Sequence, residues 1–274
     1  VHETRVELDA DHGSTDLDYI RDDERITDVV IVFKNDAIES LHQIEKTVNF
    51  LKDISHVNAL RLRSLKFNYL PESFTSLAID RLGGMNRLTI VNPLRLEIET
   101  QFLTADEFKP EHARLVRRLN NRGITVYNNT PLLGGINDTP DAIHDLAYGC
   151  RRTGIEFHHL YVAGLPIQEK WNTKQPVSLY DVVDIATRVR REGSGREIPR
   201  YIIRTKLGEV DFGLSSKISG EGENVEVKLL PYDLNYFKAL SPDFSWPGGI
   251  REDSDGRPIV AVNGILKTTD FALS

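Results

Sequence analysis

The sequence predicts an α/β fold, in which a partial, open, TIM-like barrel is followed by a small β-rich appendage. Apolar strand-like runs alternate with amphipathic helix-like segments between residues 28 and 203. The strand-like runs recur about every 30 residues, which is the length of a βαβ unit with its crossover helix. A closed eight-unit barrel needs roughly 250 residues, so this shorter span favours a partial barrel, with a doubly wound sheet as the alternative.

Each predicted element rests on its own pattern of side chains. The strands are β-branched, continuously apolar or alternating, and they cover residues 28–33, 58–63, 95–100, 124–127, 155–162 and 201–203. The helices carry apolar residues at helical spacing, with proline or capping side chains before them or glycine after them, and they cover residues 38–51, 73–82, 110–122, 140–152 and 178–191.

The pattern changes after these units. From residue 207 onward, short alternating runs at 225–230 and 258–262 are separated by turn signals such as Gly220-Glu-Gly222 and Asp255-Gly256. We therefore predict two parts. The barrel covers residues 1–205, and a β-rich extension that packs on the barrel covers residues 206–274.

Composition limits the class of function. The 41 acidic residues outnumber the 34 basic ones, giving a net charge of -7, which argues against a nucleic-acid partner. No apolar run approaches the roughly 18 residues of a membrane helix, and no signal-peptide run is present. A single cysteine, Cys150, cannot form an internal disulfide, and alone it cannot hold an iron–sulfur cluster or a cysteine zinc site. We expect a cytoplasmic protein with a small-molecule ligand and a possible homo-oligomeric state.

Polar side chains follow several of the predicted strands. Because sites in parallel α/β folds form at the carboxyl ends of the strands, these side chains could line a pocket for a small polar ligand. Alternatively, several of them point into helix-packing layers or solvent. The residues that we select as candidates are Lys34, Arg63, Glu99, Gln101, Asn129, His159 and Arg204.

Two adjacent histidines suggest a second kind of site. His158 and His159 neighbour each other on a predicted strand, so we expect their side chains to face opposite ways. One of them, together with Glu99, could form a histidine–carboxylate metal site. Since neither an HxH nor an HExxH pattern occurs, a hydrogen-bonded structural histidine is the stronger interpretation.

A series of short motifs resembles one enzyme family. Tyr127-Asn-Asn-Thr-Pro-Leu-Leu-Gly-Gly-Ile-Asn-Asp138 resembles the "NQTVLLRGVND" strand and loop of the lysine 2,3-aminomutase family of radical S-adenosylmethionine enzymes. Asp18-Tyr-Ile-Arg, residues 26–31, residues 54–57 and Leu60-Arg-Leu resemble further motifs of that family, in the same order. The matches run from about residue 16 to residue 205. The resemblance implies a partial (β/α)6 barrel, which agrees with the strand count.

The resemblance also implies chemistry and site residues. Family members are isomerases that cleave S-adenosylmethionine at a 4Fe-4S cluster to start hydrogen-atom abstraction. Gln101 and Asn129 match positions near that cofactor. We therefore assign cofactor binding to Lys34, Arg63, Gln101 and Asn129, and substrate binding to Glu99, His159 and Arg204.

Departures from the family pattern concern the chemistry. The cluster motif CxxxCxxC is absent, and the cofactor motif "GGDP" reads Phe33-Lys34-Asn35-Asp36. The position of the pyridoxal-phosphate lysine falls on Asp211, so we do not expect pyridoxal phosphate or lysine aminomutation. An aspartate that binds a substrate ammonium is replaced by Arg204, which predicts a ligand with an anionic group.

Three functional hypotheses remain. In the first, the chain is the C-terminal portion of a radical enzyme whose cysteines lie upstream, as the missing initiator Met favours. In the second, the barrel has lost the cluster and serves as a small-molecule-binding or regulatory module, as the bulk of Phe33 and Lys34 favours. In the third, the barrel is a metal-dependent enzyme that uses His158 or His159.

Overall fold

A computed structural model describes residues 4–11 and 13–266. The elements of its first half are β1 (Arg5–Asp9), α1 (Ser14–Asp22), β2 (Asp28–Val32), α2 (Leu41–Leu51), β3 (Ala59–Arg63), α3 (Lys66–Tyr69), α4 (Ser76–Met85), β4 (Arg95–Thr100), α5 (Pro110–Asn120), β5 (Thr125–Pro131) and α6 (Pro140–Thr153). Short 3-10 helices cover Ala37–Glu39, Pro71–Ser73 and Ala105–Glu107.

The second half begins with two strands and two helices and then becomes rich in strands. Its elements are β6 (Glu156–Ala163), α7 (Pro166–Asn172), β7 (Val177–Ser178), α8 (Leu179–Glu192), β8 (Arg200–Thr205), β9 (Gly208–Asp211), β10 (Ser216–Glu221), β11 (Asn224–Leu229), α9 (Leu234–Leu240), β12 (Ile250–Glu252), β13 (Pro258–Val262) and β14 (Ile265–Leu266). The strand-rich sequence predicted after residue 206 is confirmed.

The chain divides into two compact units. The first comprises Val1–Phe102, Asp106–Asn129 and Gly149–Glu156, and the second comprises Leu103–Ala105, Thr130–Tyr148 and Phe157–Ser274. This division does not test the predicted boundary after residue 205, which stays a prediction. Within the described residues, no helix has both the length and the apolar character needed to cross a membrane.

The first unit is built on parallel strands in sequence order. β1, β2, β3, β4 and β5 pair in succession, all parallel, and helices lie between consecutive strands along the chain. This arrangement confirms the predicted α/β class, whereas a (β/α)6 barrel stays a prediction. The sequence analysis was wrong to begin the strands at residue 28, because it missed β1. Only Leu8 of β1 is buried, so this strand lacks the apolar run that marks β2.

Alternate residues of these strands face different surroundings. On one face the side chains are apolar and almost fully buried, as expected for strands covered by helices. They are Val29, Ile31, Leu60, Leu62, Leu96, Ile98 and Val126. The residues between them on β3 and β4 are largely charged, and they form the site described below.

The described part of the second unit, up to residue 266, contains three groups of strands. β6 and β8 are parallel, and β9 folds back antiparallel on β8. β10, β11, β13 and β12 form a four-stranded antiparallel sheet in that order. β7 and β14 form a short parallel pair.

A buried histidine links three segments of the first unit. His112, on α5, is fully buried, and its ring stacks on Phe67 and meets Phe102 edge to face. Its Nδ1 accepts a hydrogen bond from the Lys109 backbone N–H at 2.9 Å, and its Nε2 lies 2.9 Å from the carbonyl of Asn68. Both contacts are satisfied only when the ring is neutral with its proton on Nε2. Burial lowers the pKa of His112 below its ordinary value of 6.5.

This histidine makes stability depend on pH. Because the pKa of His112 is lower in the folded state, the unfolded chain takes up the proton first. Its contribution to the free energy of unfolding is therefore complete above about pH 6.5 and is lost as the pH falls below that value. We expect urea unfolding between pH 7 and pH 5 to show a weaker decline in the His112→Gln variant than in the parent chain. The exposed His42 provides the control, since His42→Gln should leave the decline unchanged. An equal decline in all three proteins would contradict this role.

Candidate functional site

One face of the first unit's sheet carries charged side chains. In the strand register, Arg61 lies beside Glu97 and Arg63 lies beside Glu99. Tyr127 of β5 lies beside Glu99 on the other side. Because neighbouring residues in register share a face, these five side chains lie together on the sheet.

Three of the predicted cofactor residues lie near strand ends. Gln101 and Asn129 each lie two residues beyond a member of this face, Glu99 and Tyr127, and Lys34 lies two residues beyond the carboxyl end of β2. The spacing therefore places them at the edge of the sheet where α/β proteins bind ligands.

Ion pairs connect the charged side chains. Arg63 Nε donates to Glu99 Oε1 at 2.7 Å, and its Nη2 lies 3.2 Å from Glu7 Oε1. Arg61 Nε and Nη2 both donate to Glu97 Oε2, at 3.1 and 2.9 Å. Glu97 and Glu99 are only 7% and 8% exposed. The two arginines thus compensate two buried carboxylates, and Arg63 and Glu99 bind each other rather than standing as separate ligand contacts.

Electrostatics fixes the charge state of this network. Burial opposes the charge of Arg63, but the carboxylates of Glu99 and Glu7 outweigh it and raise the pKa of the guanidinium. Burial, reinforced by the negative charge of Glu97, also raises the pKa of Tyr127. Arg63 therefore stays a cation and Tyr127 stays a neutral phenol at physiological pH. The guanidinium of Arg61 lies 5.1 Å from the centroid of the Tyr127 ring, a cation–π contact.

Lys34 lies apart from this network. Its side chain is 79% exposed, and Nζ lies 2.7 Å from Asp11 Oδ2. That ion pair raises the pKa of Lys34 and lowers the pKa of Asp11, through their hydrogen bond and mutual attraction.

Asp36, two residues after Lys34, is buried, and its carboxylate accepts hydrogen bonds from two backbone N–H groups and one hydroxyl. Its Oδ1 accepts hydrogen bonds from Ile38 N at 3.1 Å and Ser64 Oγ at 2.7 Å. Its Oδ2 accepts one from Lys66 N at 2.9 Å. One carboxylate therefore ties the loop after β2 to the loop after β3.

The structure brings Gln101 and Asn129 together. Gln101 is half-buried, and its Nε2 lies 3.5 Å from the carbonyl oxygen of Asn129. Asn129 is 4% exposed, and its Oδ1 has no hydrogen-bond partner among the described residues. A buried acceptor without a partner is costly, so a donor from a bound molecule would stabilise it. This is the strongest indication of ligand binding in the first unit.

The remaining predicted residues belong to the second unit. His159 on β6 is 3% exposed, and Tyr161, two residues on, donates from its hydroxyl to Glu209 Oε1 at 3.0 Å. Arg204 on β8 lies beside Glu209 on β9 in the strand register. Glu209 was not predicted, because an isolated Glu in a predicted extension does not indicate that β9 returns along β8.

The expectation that His158 and His159 face opposite ways is wrong. Their rings stack, with centroids 3.8 Å apart and planes inclined by 20°. β6 is not a regular strand, since its register with β8 shifts between Tyr161 and Ala163. Side chains also lean along a strand, so flat rings on neighbouring residues can meet. Among the described residues, no group of three or more His, Cys, Asp or Glu side chains could hold a metal ion.

Two other sequence features turn out to be structural. Cys150 is buried in α6, and burial strongly raises the pKa of its thiol, as expected of a packed side chain. In the Leu133-Gly-Gly loop, the Gln175 carbonyl oxygen lies only 2.0 Å from where a Cβ on Gly134 would stand. Trp171 Nε1 also donates to the Gly134 carbonyl at 3.0 Å. These glycines accommodate the chain's own segment, which agrees with the ordinary-loop interpretation.

Asp211 occupies the place where the resemblance puts a pyridoxal-phosphate lysine. It lies on β9, and its carboxylate accepts hydrogen bonds from Arg200 Nε at 3.1 Å and Nη2 at 2.8 Å. Its backbone carbonyl accepts a hydrogen bond from Ser216 Oγ at 3.0 Å. The residue is thus part of an ion-paired β-hairpin.

Comparisons with known proteins point to one family. L-lysine 2,3-aminomutase from Clostridium subterminale is 24% identical over 68% of this chain and 42% of that protein. Glutamate 2,3-aminomutase from Clostridioides difficile is 25% identical over 70% of this chain and 43% of that protein. A provisionally named L-lysine 2,3-aminomutase from Aquifex aeolicus is 29% identical over 89% of this chain and 57% of that protein. The chain spans about half the length of these curated relatives.

Other comparisons add little. No family model matches the chain. A chitinase from Chromobacterium violaceum superposes with a TM-score of 0.36 and 9% identity over 96% of this chain and 86% of that chain, which is too slight to bear on fold or function.

Parallel strands in sequence order, with helices between them along the chain, define an α/β protein. Within that class, the aminomutase relatives confirm the family resemblance, and the chain is lysine 2,3-aminomutase-like.

The charged network makes a stability prediction. Replacing Arg61 by Leu leaves the buried carboxylate of Glu97 without its guanidinium, which typically costs about 3–5 kcal/mol. We expect Arg61→Leu to lower the free energy of unfolding, measured by urea denaturation, by an amount of that order. Pairing it with Glu97→Leu should restore much of the loss, because no buried charge is then left uncompensated. Lys34→Ala, at an exposed ion pair, is the control and should change nothing measurable. If Arg61→Leu left the free energy of unfolding unchanged, water would have to reach these carboxylates.

Proposed function

We propose that this chain is part of a radical S-adenosylmethionine enzyme whose cluster-binding cysteines lie outside these 274 residues. The relatives support the family, and the polar edge formed by Gln101 and Asn129 supports a cofactor site in this chain. The single observation that carries the proposal is the buried Asn129 Oδ1 without a protein partner.

The residues fit the two cofactors differently. The sequence has one cysteine, and Cys150 is packed inside α6, so these residues do not fit a 4Fe-4S cluster. S-Adenosylmethionine fits the polar edge formed by Gln101 and Asn129 better. Its ammonium and ribose hydroxyls can donate hydrogen bonds, and Asn129 Oδ1 is an acceptor without a donor among the described residues. When bound to a cluster, this cofactor supplies the radical that starts hydrogen-atom abstraction. Asn129 and Gln101 would hold it, whereas Lys34 and Arg63 could contact its carboxylate only by exchanging their present partners.

The substrate is proposed to be a small molecule with an anionic group. Arg204 replaces a family aspartate, and a guanidinium binds a carboxylate or phosphate through paired hydrogen bonds. We assign His159, which lies on β6 in the same unit as Arg204, to the same substrate, whereas Glu99 is already bound to Arg63. Pyridoxal phosphate is not expected, because Asp211 has no amine for a Schiff base and is bound to Arg200.

The second candidate function is a cluster-less binding or regulatory module. Two observations favour it: Phe33 and Lys34 replace the two glycines of the family's cofactor motif, and Lys34 pairs with Asp11. The two functions differ in cofactor chemistry rather than in fold, so a test of that chemistry separates them.

Reconstitution of the full-length protein tests the cluster. We expect anaerobic treatment with iron and sulfide to give the broad absorbance near ~400 nm of an iron–sulfur cluster. With a strong reductant, the loaded protein should then release methionine from S-adenosylmethionine, measured by chromatography. Absence of both signals in a folded full-length protein would favour the binding module.

A variant pair tests the cofactor residue separately. Asn129→Leu removes the orphaned acceptor, so we expect the affinity for S-adenosylmethionine, measured by calorimetry, to fall about tenfold. Asn121→Leu makes the same change at an exposed position after α5 and should bind as the parent does. Equal affinities in both variants would exclude Asn129 from the cofactor site.

A charge reversal tests the substrate class. Arg204→Asp should weaken binding of glutamate, used as an anionic probe, by at least about tenfold in calorimetry, because attraction becomes repulsion. Arg204→Lys keeps the positive charge and should retain most of the affinity. Unchanged affinity in the Asp variant would remove Arg204 from the site.

A further inference from the structure

The end of β4 and the loop that follows it are held by the Asn128 side chain and by the backbone of Ser64, which follow two neighbouring strands. Asn128 Oδ1 accepts a hydrogen bond from Phe102 N at 2.7 Å, and Asn128 Nδ2 donates to Phe102 O at 3.3 Å. The Ser64 N–H donates to the carbonyl of Glu99 at 2.9 Å. These contacts fix Glu99 and Phe102, which lie before and after Gln101 in the chain.

Asn68 provides the contact to Gln101 itself. Its Nδ2 donates to the backbone carbonyl of Gln101 at 3.0 Å and also to Glu107 Oε2, in the 3-10 helix that follows the loop. An amide group has two N–H bonds, so one side chain can satisfy both acceptors. Asn68 therefore ties both ends of the segment 101–107 to α3.

Asn68 is itself held firmly. Its carbonyl lies 2.9 Å from Nε2 of the buried His112. The first turn of α3 is fixed to the loops after β2 and β3, since Lys66 N donates to Asp36 Oδ2 and Phe67 N donates to Ser64 Oγ. The side chain thus extends from a short helix whose backbone has little freedom.

We infer that Asn68 is a positioning residue for the polar edge formed by Gln101 and Asn129. It holds the backbone of Gln101 so that the Gln101 side chain contacts Asn129. This inference rests on the proposed function for the identity of the ligand, but not for the position of the loop. In this role Asn68 contacts the loop rather than the ligand. It acts through Gln101, whose Nε2 reaches the Asn129 carbonyl.

The first test measures the loop without any ligand. In Asn68→Ala, the Gln101 carbonyl loses its donor, so we expect amide hydrogen exchange in the peptide 100–108 to accelerate about tenfold. Asn68→Gln keeps an amide donor and should restore part of the protection. Asn58→Ala is the matched control, because Asn58 Nδ2 donates to the His56 carbonyl at 3.1 Å, in a turn before β3. Unchanged exchange in Asn68→Ala, or equal acceleration in Asn58→Ala, would overturn the inference.

The second test measures the cofactor edge. In the full-length protein we expect Asn68→Ala to weaken S-adenosylmethionine binding about tenfold in calorimetry, with Asn58→Ala unchanged and Asn68→Gln intermediate. If the parent binds no S-adenosylmethionine while exchange at 100–108 still depends on Asn68, the proposed function fails and the positioning role stands. If the parent binds and all variants bind equally, the positioning role fails and the proposed function stands.

Discussion

The first unit depends on how its parallel strands end. Each strand of a parallel sheet stops at the same edge, where backbone N–H and C=O groups must find partners outside the sheet. Buried polar side chains supply them here. Asp36 joins the segments after β2 and β3, and Asn128 binds both backbone groups of Phe102 after β4. The protein's own side chains therefore order the polar edge.

The charged face of the sheet imposes a second constraint. An apolar face would need only packing, whereas Arg61, Glu97 and Glu99 need partners at fixed distances because they are withdrawn from water. Arg63 connects this buried group to Glu7 on β1. On this face, ion pairs therefore connect neighbouring strands, where apolar packing would ordinarily do so.

Sequence patterns predicted the elements better than the site. The strand at 95–100 agrees with β4, because one buried apolar stripe fixes its period, and helix starts at Pro110 and Pro140 agree because proline fixes the first turn. β1 was missed because an edge strand with charged residues has no such stripe. The two-residue period placed Arg63 and Glu99 on one face, but it could not show that they pair with each other. Glu7, Asn68 and Glu209 were missed because partners distant in sequence leave no local signal.

Part of the resemblance to the aminomutases is carried by residues that hold the backbone. Within the matching segment, Asn137 accepts from Leu133 N at 2.7 Å and donates to the carbonyls of Leu103 and Pro131, both at 3.1 Å. Asn128 has a similar role at Phe102. In contrast, Gly134 stands where the family motif has arginine, and the Gln175 carbonyl leaves no room there for any side chain. Residues that hold the backbone thus preserve the resemblance at 24–29% identity, while Gly134 and Arg204 depart from the family pattern.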